Sequence, residues 1–171
     1  EGSESYVEEA WKAFEAEFKS TPNAYAIGLG DYADWLRPSM RTRLLEPLQH
    51  DSSARQMLDD EIRRGHDNII KKLRFLEGRL LGLHEGHHNW TFASGENTDQ
   101  RLASALKCPY LGWMASHRLV LGREVSGKTM TRSYTLVTTH GNANSRSFKA
   151  SVGWMERSLM ESFNADHYIM G

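Results

Sequence analysis

Short apolar runs that end in polar, glycine-containing loops restrict the fold of this chain most strongly. Three such runs, at residues 24–29, 80–83 and 133–138, lead into Gly30-Asp31-Tyr32-Ala33-Asp34, Glu85-Gly86-His87-His88-Asn89 and His140-Gly141. Apolar runs of this length that stop at turn residues are typical of buried strands. The sequence therefore predicts that acids and histidines follow directly after strand ends.

Helical periodicity occupies most of the chain between these runs. It predicts helices at residues 5–19, from Asp51 onward with an interruption at Gly65, at 98–106 and at 149–163. Further strand-like runs lie at 110–114 and 117–121, Ser126-Gly127-Lys128 suits a hairpin turn, and residues 166–171 resemble another strand end. This order predicts an α/β or layered α+β fold in one domain, residues 1–171.

Composition excludes several classes of protein. Lys and Arg number 21 against 22 Asp and Glu, so a net charge of -1 provides no long-range field for nucleic acid or an acidic membrane surface. No apolar run approaches the roughly 20 residues of a membrane-spanning helix. Cys108 is the single cysteine, which rules out an internal disulfide and suits a reducing cytoplasm. We expect a cytoplasmic protein with no membrane partner.

The chain contains eight histidines, and only some of them lie in motif-like loops. His50, His66 and His117 have no acid-and-glycine loop around them. For these three we expect ordinary solvent-exposed side chains.

The loops after the strand-like runs carry side chains that bind metals. Ligands collect beyond the carboxyl ends of strands, so these loops can meet even though they are far apart in sequence. The residues concerned are Asp31, Asp34, His87, His88 and His140. Carboxylates together with imidazoles suit zinc, manganese or iron, and a shared carboxylate can bridge two metals about 3.5–4 Å apart.

In the same order, these loops resemble motifs of the calcineurin-like metallophosphoesterases, which carry D-x-H, G-D-x-x-D, G-N-H-(D/E), a histidine before glycine, and G-H-x-H. Residues 30–34, 86–89 and 140–141 are similar to the three central motifs. The resemblance covers the whole chain and implies a β-sandwich core flanked by helices. It also implies that D-x-H would precede Glu1 and that G-H-x-H would follow Gly171, so the domain is expected to be incomplete at both ends.

The resemblance assigns roles to four residues. Asp31 looks like the carboxylate that bridges two metals, and His140 looks like a ligand of the second metal. Asp34 is similar to an acid of the family that lies next to the metal ligands and does not itself bind metal. His88 matches the histidine that approaches the leaving-group or phosphoryl oxygen, where it can stabilise charge or donate a proton.

The third motif departs from the family pattern at two positions. His87 stands where the family has a ligand asparagine, and Asn89 stands where it has an acid. An imidazole can replace an amide as a ligand, so His87 is a candidate metal ligand. The substitution shifts the expected preference toward metals that favour nitrogen.

The implied reaction is hydrolysis of a phosphate mono- or diester by a hydroxide that bridges two divalent metals, manganese, zinc or iron. The predicted reaction includes both phosphatase and phosphodiesterase activity. Nucleic acid is expected only as a substrate. Arg37, Arg41, Arg43 and Arg146 are candidates for phosphate contacts, or are surface arginines. Without the two terminal motifs, residues 1–171 alone are expected to have little activity.

Two other functions remain open from the sequence. His87, His88 and His140 could form the three-histidine site of a single-zinc hydrolase. The chain could also be a non-catalytic binding module that retains the loops, because the third motif departs from the family pattern.

Overall fold

A computed structural model describes residues 7–35, 38–48, 51–141 and 148–171. The chain forms two compact units, Glu1–Tyr110 and Leu111–Gly171. The single-domain organisation stays a prediction.

The first unit contains most of the helices. Its elements are α1 (Glu8–Ser20), β1 (Ala26–Gly28), α2 (Pro38–Leu48), α3 (Ser52–Leu73), a short 3-10 turn (Arg74–Leu76), β2 (Leu80–His84), α4 (Thr98–Ala105) and the first residue of β3 (Tyr110–Gly112). Asp51 begins α3 because its carboxylate accepts the N–H groups of Ser53 and Ala54. Asn97 and Gln100 begin α4 with a reciprocal capping box.

The strand order β1-β2-β3 puts two of the motif loops at one edge. β1 and β2 are parallel, with Gly28 opposite Leu83. Parallel strands present their carboxyl ends at the same edge of a sheet. The loops that follow β1 and β2 therefore start side by side.

Two apolar clusters hold this unit together. The first joins α3, β2 and α4 through Ile70, Leu83, Leu102 and Leu106. The second joins α3 to the segment after β2 through Ile62, Trp90 and Phe92. The second cluster sits directly beyond Asn89, so it anchors the C-terminal end of the motif loop.

The second unit is a sheet with one helical segment. β4 (Met114–Val125) and β5 (Lys128–Thr139) form a hairpin, and β6 (His167–Met170) pairs parallel to β5. The hairpin turns at Ser126 and Gly127, both at positive φ, which confirms the predicted turn. Helix α5 (Phe148–Met155) continues into a π-helical turn, Glu156–Met160. Among the described residues of this unit, the buried apolar side chains are Leu136, Val137 and Leu159.

Helices and two small sheets confirm the mixed α and β composition. The β-sandwich arrangement stays a prediction. α3 runs without a break through Gly65, so the predicted interruption was wrong. A Cβ at residue 65 would lie 2.8 Å from the Trp35 ring, so this glycine gives room for the indole ring. Among the described helices, none combines the length and apolar character needed to cross a membrane.

Two histidines differ from their expected exposure. His66 is 2% exposed and faces Arg101, whose Nη1 lies 2.8 Å from its Nδ1. His117 is half-buried, with Nε2 2.8 Å from Thr138 Oγ1. The prediction of exposure was wrong for both because it considered sequence neighbours only. His50 lies outside the described residues.

Candidate functional site

The loop after β1 turns sharply at Gly30 and Asp31. Gly30 has φ 98° and Asp31 has φ 51°, so a non-glycine residue occupies the left-handed region. Aspartate tolerates this conformation better than most residues. The turn places Asp31 Oδ1 3.0 Å from the backbone N–H of His88, which donates to it.

Gly86 explains how the two loops come so close. A Cβ built on this residue would lie 2.1 Å from the Asp31 nitrogen and 2.3 Å from Asp31 Oδ1. No side chain fits in that space, because the nearest atoms are backbone and an anchored carboxylate. Gly86 is therefore required for the contact between the β1 and β2 loops.

His88 and Asp34 form the one direct side-chain pair among the predicted catalytic residues. Nδ1 of His88 lies 2.7 Å from Asp34 Oδ1. An ionised carboxylate can only accept, so Nδ1 carries the proton of this hydrogen bond. Nε2 is then the ring nitrogen that can act on a substrate oxygen.

A buried acid accepts a hydrogen bond from the backbone of the β2 loop. Asp99, near the start of α4, is 4% exposed, and its Oδ2 accepts the Gly86 N–H at 2.8 Å. Burial, with smaller contributions from the negative charges of Glu85 and Asp31, raises the pKa of Asp99 to about 7. The Gly86 hydrogen bond and Arg41 act in the opposite direction.

Arg41 of α2 is a site residue with a different role from the one considered from sequence. Its Nη2 donates to the His87 carbonyl at 2.7 Å, and its Nη1 donates to the Asn89 carbonyl and, at 2.8 Å, to Asn89 Oδ1. Partial burial lowers the pKa of Arg41. The guanidinium is thus engaged by the motif loop. The sequence pattern does not predict α2, so it gives no signal for this contact.

Asn89, one of the two departures from the family pattern, lies in a polar network. Its Nδ2 donates to Glu85 Oε1 at 3.1 Å and to the Gly86 carbonyl at 2.9 Å. The Tyr110 hydroxyl donates to the other Glu85 oxygen. Burial, together with this contact, raises the pKa of Tyr110 to about 12.

The structure places the predicted residues as follows. Asp31, Asp34, His87 and His88 lie in the first unit, and hydrogen bonds connect His88 to both aspartates. His140 lies in the second unit directly after β5, where its N–H donates to the Trp113 carbonyl at 3.3 Å. The ligand roles of Asp31, His87 and His140 stay predictions. Arg37 and Arg146 lie outside the described residues.

The donors of the first unit fit a divalent transition metal. Asp31 offers a carboxylate oxygen and His87 an imidazole nitrogen, in loops that are in contact through Gly86. Residues of these types bind zinc, manganese or iron. That metal ions bind here, and that there are two of them, stay predictions.

Comparisons with family models, with curated proteins and with solved structures find no match for this chain.

Proposed function

We propose that this chain belongs to a metal-dependent phosphoesterase that hydrolyses a phosphate mono- or diester. The observation that carries the proposal is the hydrogen bond of 2.7 Å between His88 Nδ1 and Asp34 Oδ1. A carboxylate that orients an imidazole leaves the other ring nitrogen ready for proton transfer. The resemblance of the loops assigns this pair to phosphoester hydrolysis.

Asp31 and His87 are the proposed metal ligands of the first unit, and His140 keeps the ligand role that the resemblance implies. Two divalent ions in such a site supply hydroxide near neutral pH and neutralise charge on the phosphoryl group. The Asp31 carboxylate also accepts the His88 N–H at 3.0 Å. The same residue thus binds metal and fixes the backbone of the catalytic histidine.

His88 is the proposed general acid. Asp34 accepts the proton of Nδ1, so Nε2, when protonated, can donate to the leaving oxygen as the ester bond breaks. Loss of Asp34 would leave the ring free to rotate. Asp34 therefore acts on the reaction through His88.

The test uses the product of the full reading frame that encodes this chain. We expect manganese- or zinc-dependent hydrolysis of an aryl phosphate monoester or diester. In Asp31→Asn and in His88→Ala we expect kcat to fall by a factor of at least about 10². Asp60→Asn, an exposed acid on α3, is the matched control. Turnover that persists in both variants would sink the proposal.

Metal content separates the other two functions. Two ions per chain agree with the proposal, whereas one zinc per chain indicates a single-zinc hydrolase. A folded protein that retains no metal and has no activity indicates the binding module.

A further inference from the structure

Arg41 bridges the two sides of His88. The His87 carbonyl accepts from Nη2 at 2.7 Å, and the Asn89 carbonyl accepts from Nη1. These carbonyls belong to the peptide groups immediately before and shortly after His88. A planar guanidinium can span two acceptors at once, which a lysine ammonium cannot do with the same geometry.

The backbone groups of His88 itself are also paired. Its N–H donates to Asp31 Oδ1 at 3.0 Å, and its carbonyl accepts the Trp35 N–H at 3.3 Å. Together with the Arg41 contacts, these bonds restrain the peptide groups around His88. The direction in which the imidazole leaves the backbone is therefore set by Arg41 as well as by Asp34.

The side chain of Asn89 explains why an amide stands where the family pattern has an acid. Its Oδ1 accepts from Arg41 at 2.8 Å, while its Nδ2 donates to Glu85 and to the Gly86 carbonyl. A carboxylate at this position would lose both donated bonds and would face the Glu85 carboxylate. The acid of this network is Glu85, four residues earlier in the chain.

We propose that Arg41, Glu85 and Asn89 form a clamp that positions His88 for proton transfer. Arg41 is a positioning residue, since it contacts the loop and acts through His88. The catalytic consequence rests on the proposed function, while the geometry of the clamp stands on the contacts above.

Two single variants test the clamp by removing its geometry while changing little volume. Arg41→Lys keeps the charge but cannot span both carbonyls, and Asn89→Asp keeps the shape but removes both donors. For each we expect kcat to fall about 10–100-fold with a smaller change in KM, because the substrate contacts are not altered. The exposed Arg64→Lys and Asn68→Asp, both on α3, are matched controls and should retain wild-type kcat.

Nitrogen NMR of the His88 imidazole is the second readout. In the wild type the Nδ1–H tautomer should dominate, because Asp34 accepts its proton. In Arg41→Lys and in Asn89→Asp, we expect the His88 imidazole to lose this tautomer preference, or its nitrogen signal to broaden because the loop moves. A merely structural role would lower thermal stability without changing the tautomer of the folded protein.

The exchanged pair provides the decisive comparison. In the double variant Glu85→Gln, Asn89→Asp, the introduced amide can donate to the introduced carboxylate, so the bond between residues 85 and 89 is rebuilt with its donor reversed, while the Gly86 carbonyl stays without its Asn89 donor. We expect the double variant to recover part of the kcat and of the His88 signal lost in Asn89→Asp. A double variant no better than Asn89→Asp would overturn the clamp.

The clamp and the proposed function fail in different ways. If the wild-type protein hydrolyses no phosphate ester, the proposed function fails, and the NMR signal still tests the clamp. If hydrolysis is present but Arg41→Lys and Asn89→Asp keep the wild-type tautomer and kcat, the clamp fails alone. If Asn89→Asp does not fold, Arg41→Lys carries the test with the same two readouts.

Discussion

The backbones of Gly86 and Asp31 are in contact, and the contact leaves no room for a Cβ atom at residue 86. A Cβ at residue 86 would come within 2.9 Å of three Asp31 atoms. Main-chain atoms cannot rotate away, so an added methyl group must displace a whole loop. The contact matters for the site because Asp31 also binds the backbone of His88.

Gly86→Ala should therefore lower the free energy of unfolding by about 2–3 kcal/mol through overpacking against the β1 loop. Denaturant unfolding measures this change. Gly122→Ala is the control, because its Cβ would meet only Thr129 Cγ2 at 3.8 Å and should change stability by less than about 0.5 kcal/mol. Equal effects of the two substitutions would show that the contact is looser than described.

The packing of α3 against α4 buries a neutral histidine. His66 Nδ1 accepts from Arg101 Nη1 at 2.8 Å, and Arg101 Nη2 also donates to Asp67 at 2.7 Å. Burial, together with the Arg101 charge, lowers the pKa of His66 to about 4, against opposing contributions from Asp67 and the Thr98 carbonyl. The imidazole is thus a hydrogen-bond link between the two helices, in its neutral form.

This histidine should make stability depend on pH. In the unfolded chain it binds a proton below its ordinary pKa of 6.5, whereas in the folded protein it does so only near 4. The free energy of unfolding should therefore fall by up to about 3 kcal/mol as pH drops through this window. His66→Gln should remove that loss, because glutamine can accept from Arg101 without titrating.

Urea unfolding at about pH 4.5 and about pH 7.5 measures this effect as a difference between wild type and variant. The difference is needed because Asp99 titrates the other way. Its folded-state pKa of about 7 lies above its ordinary 3.8, so Asp99 favours folding at low pH and that contribution is lost as pH rises. His167→Gln, at an exposed position, controls for loss of an imidazole. The same pH dependence in wild type and His66→Gln would contradict the assignment.

At the scale of the whole molecule, burial is distributed unevenly along the β4–β5 hairpin. Residues 121–133 are exposed throughout, whereas Leu136, Val137, Thr138 and Thr139 are buried. β4 and β5 remain in register over their full length, but β6 pairs with β5 only at Leu136–Thr139. The end next to β6 is therefore both buried and hydrogen-bonded along a second edge, which the distal end is not.

Amide hydrogen exchange should therefore be graded along the hairpin. We expect the amides of residues 136–138 to exchange at least about tenfold more slowly than those of residues 122–131, because opening the distal end costs little buried surface. Exchange followed by mass spectrometry resolves the two segments. Uniform protection along both strands would mean that the distal end is covered in solution.

Local patterns in the sequence predicted where most elements lie but not where they end, since β4 and β5 are both longer than the predicted runs at 117–121 and 133–138. The helical period of residues 5–19 and the apolar runs before Gly30 and Glu85 correspond to α1, β1 and β2. These features depend on neighbours within a few residues, so a pattern can report them. α2 was missed, because Pro38 and Pro47 flank an apolar period that is weak on its own.

Tertiary structure alone decided which polar side chains meet. The sequence singled out His88 and Asp34, but the bond between them and the contact of Arg41 with the His87 and Asn89 carbonyls depend on segments about 50 residues apart. His66 became buried for the same reason, through Arg101 of another helix. Periodicity reports the face on which a residue lies, whereas its partner is set by how distant elements pack.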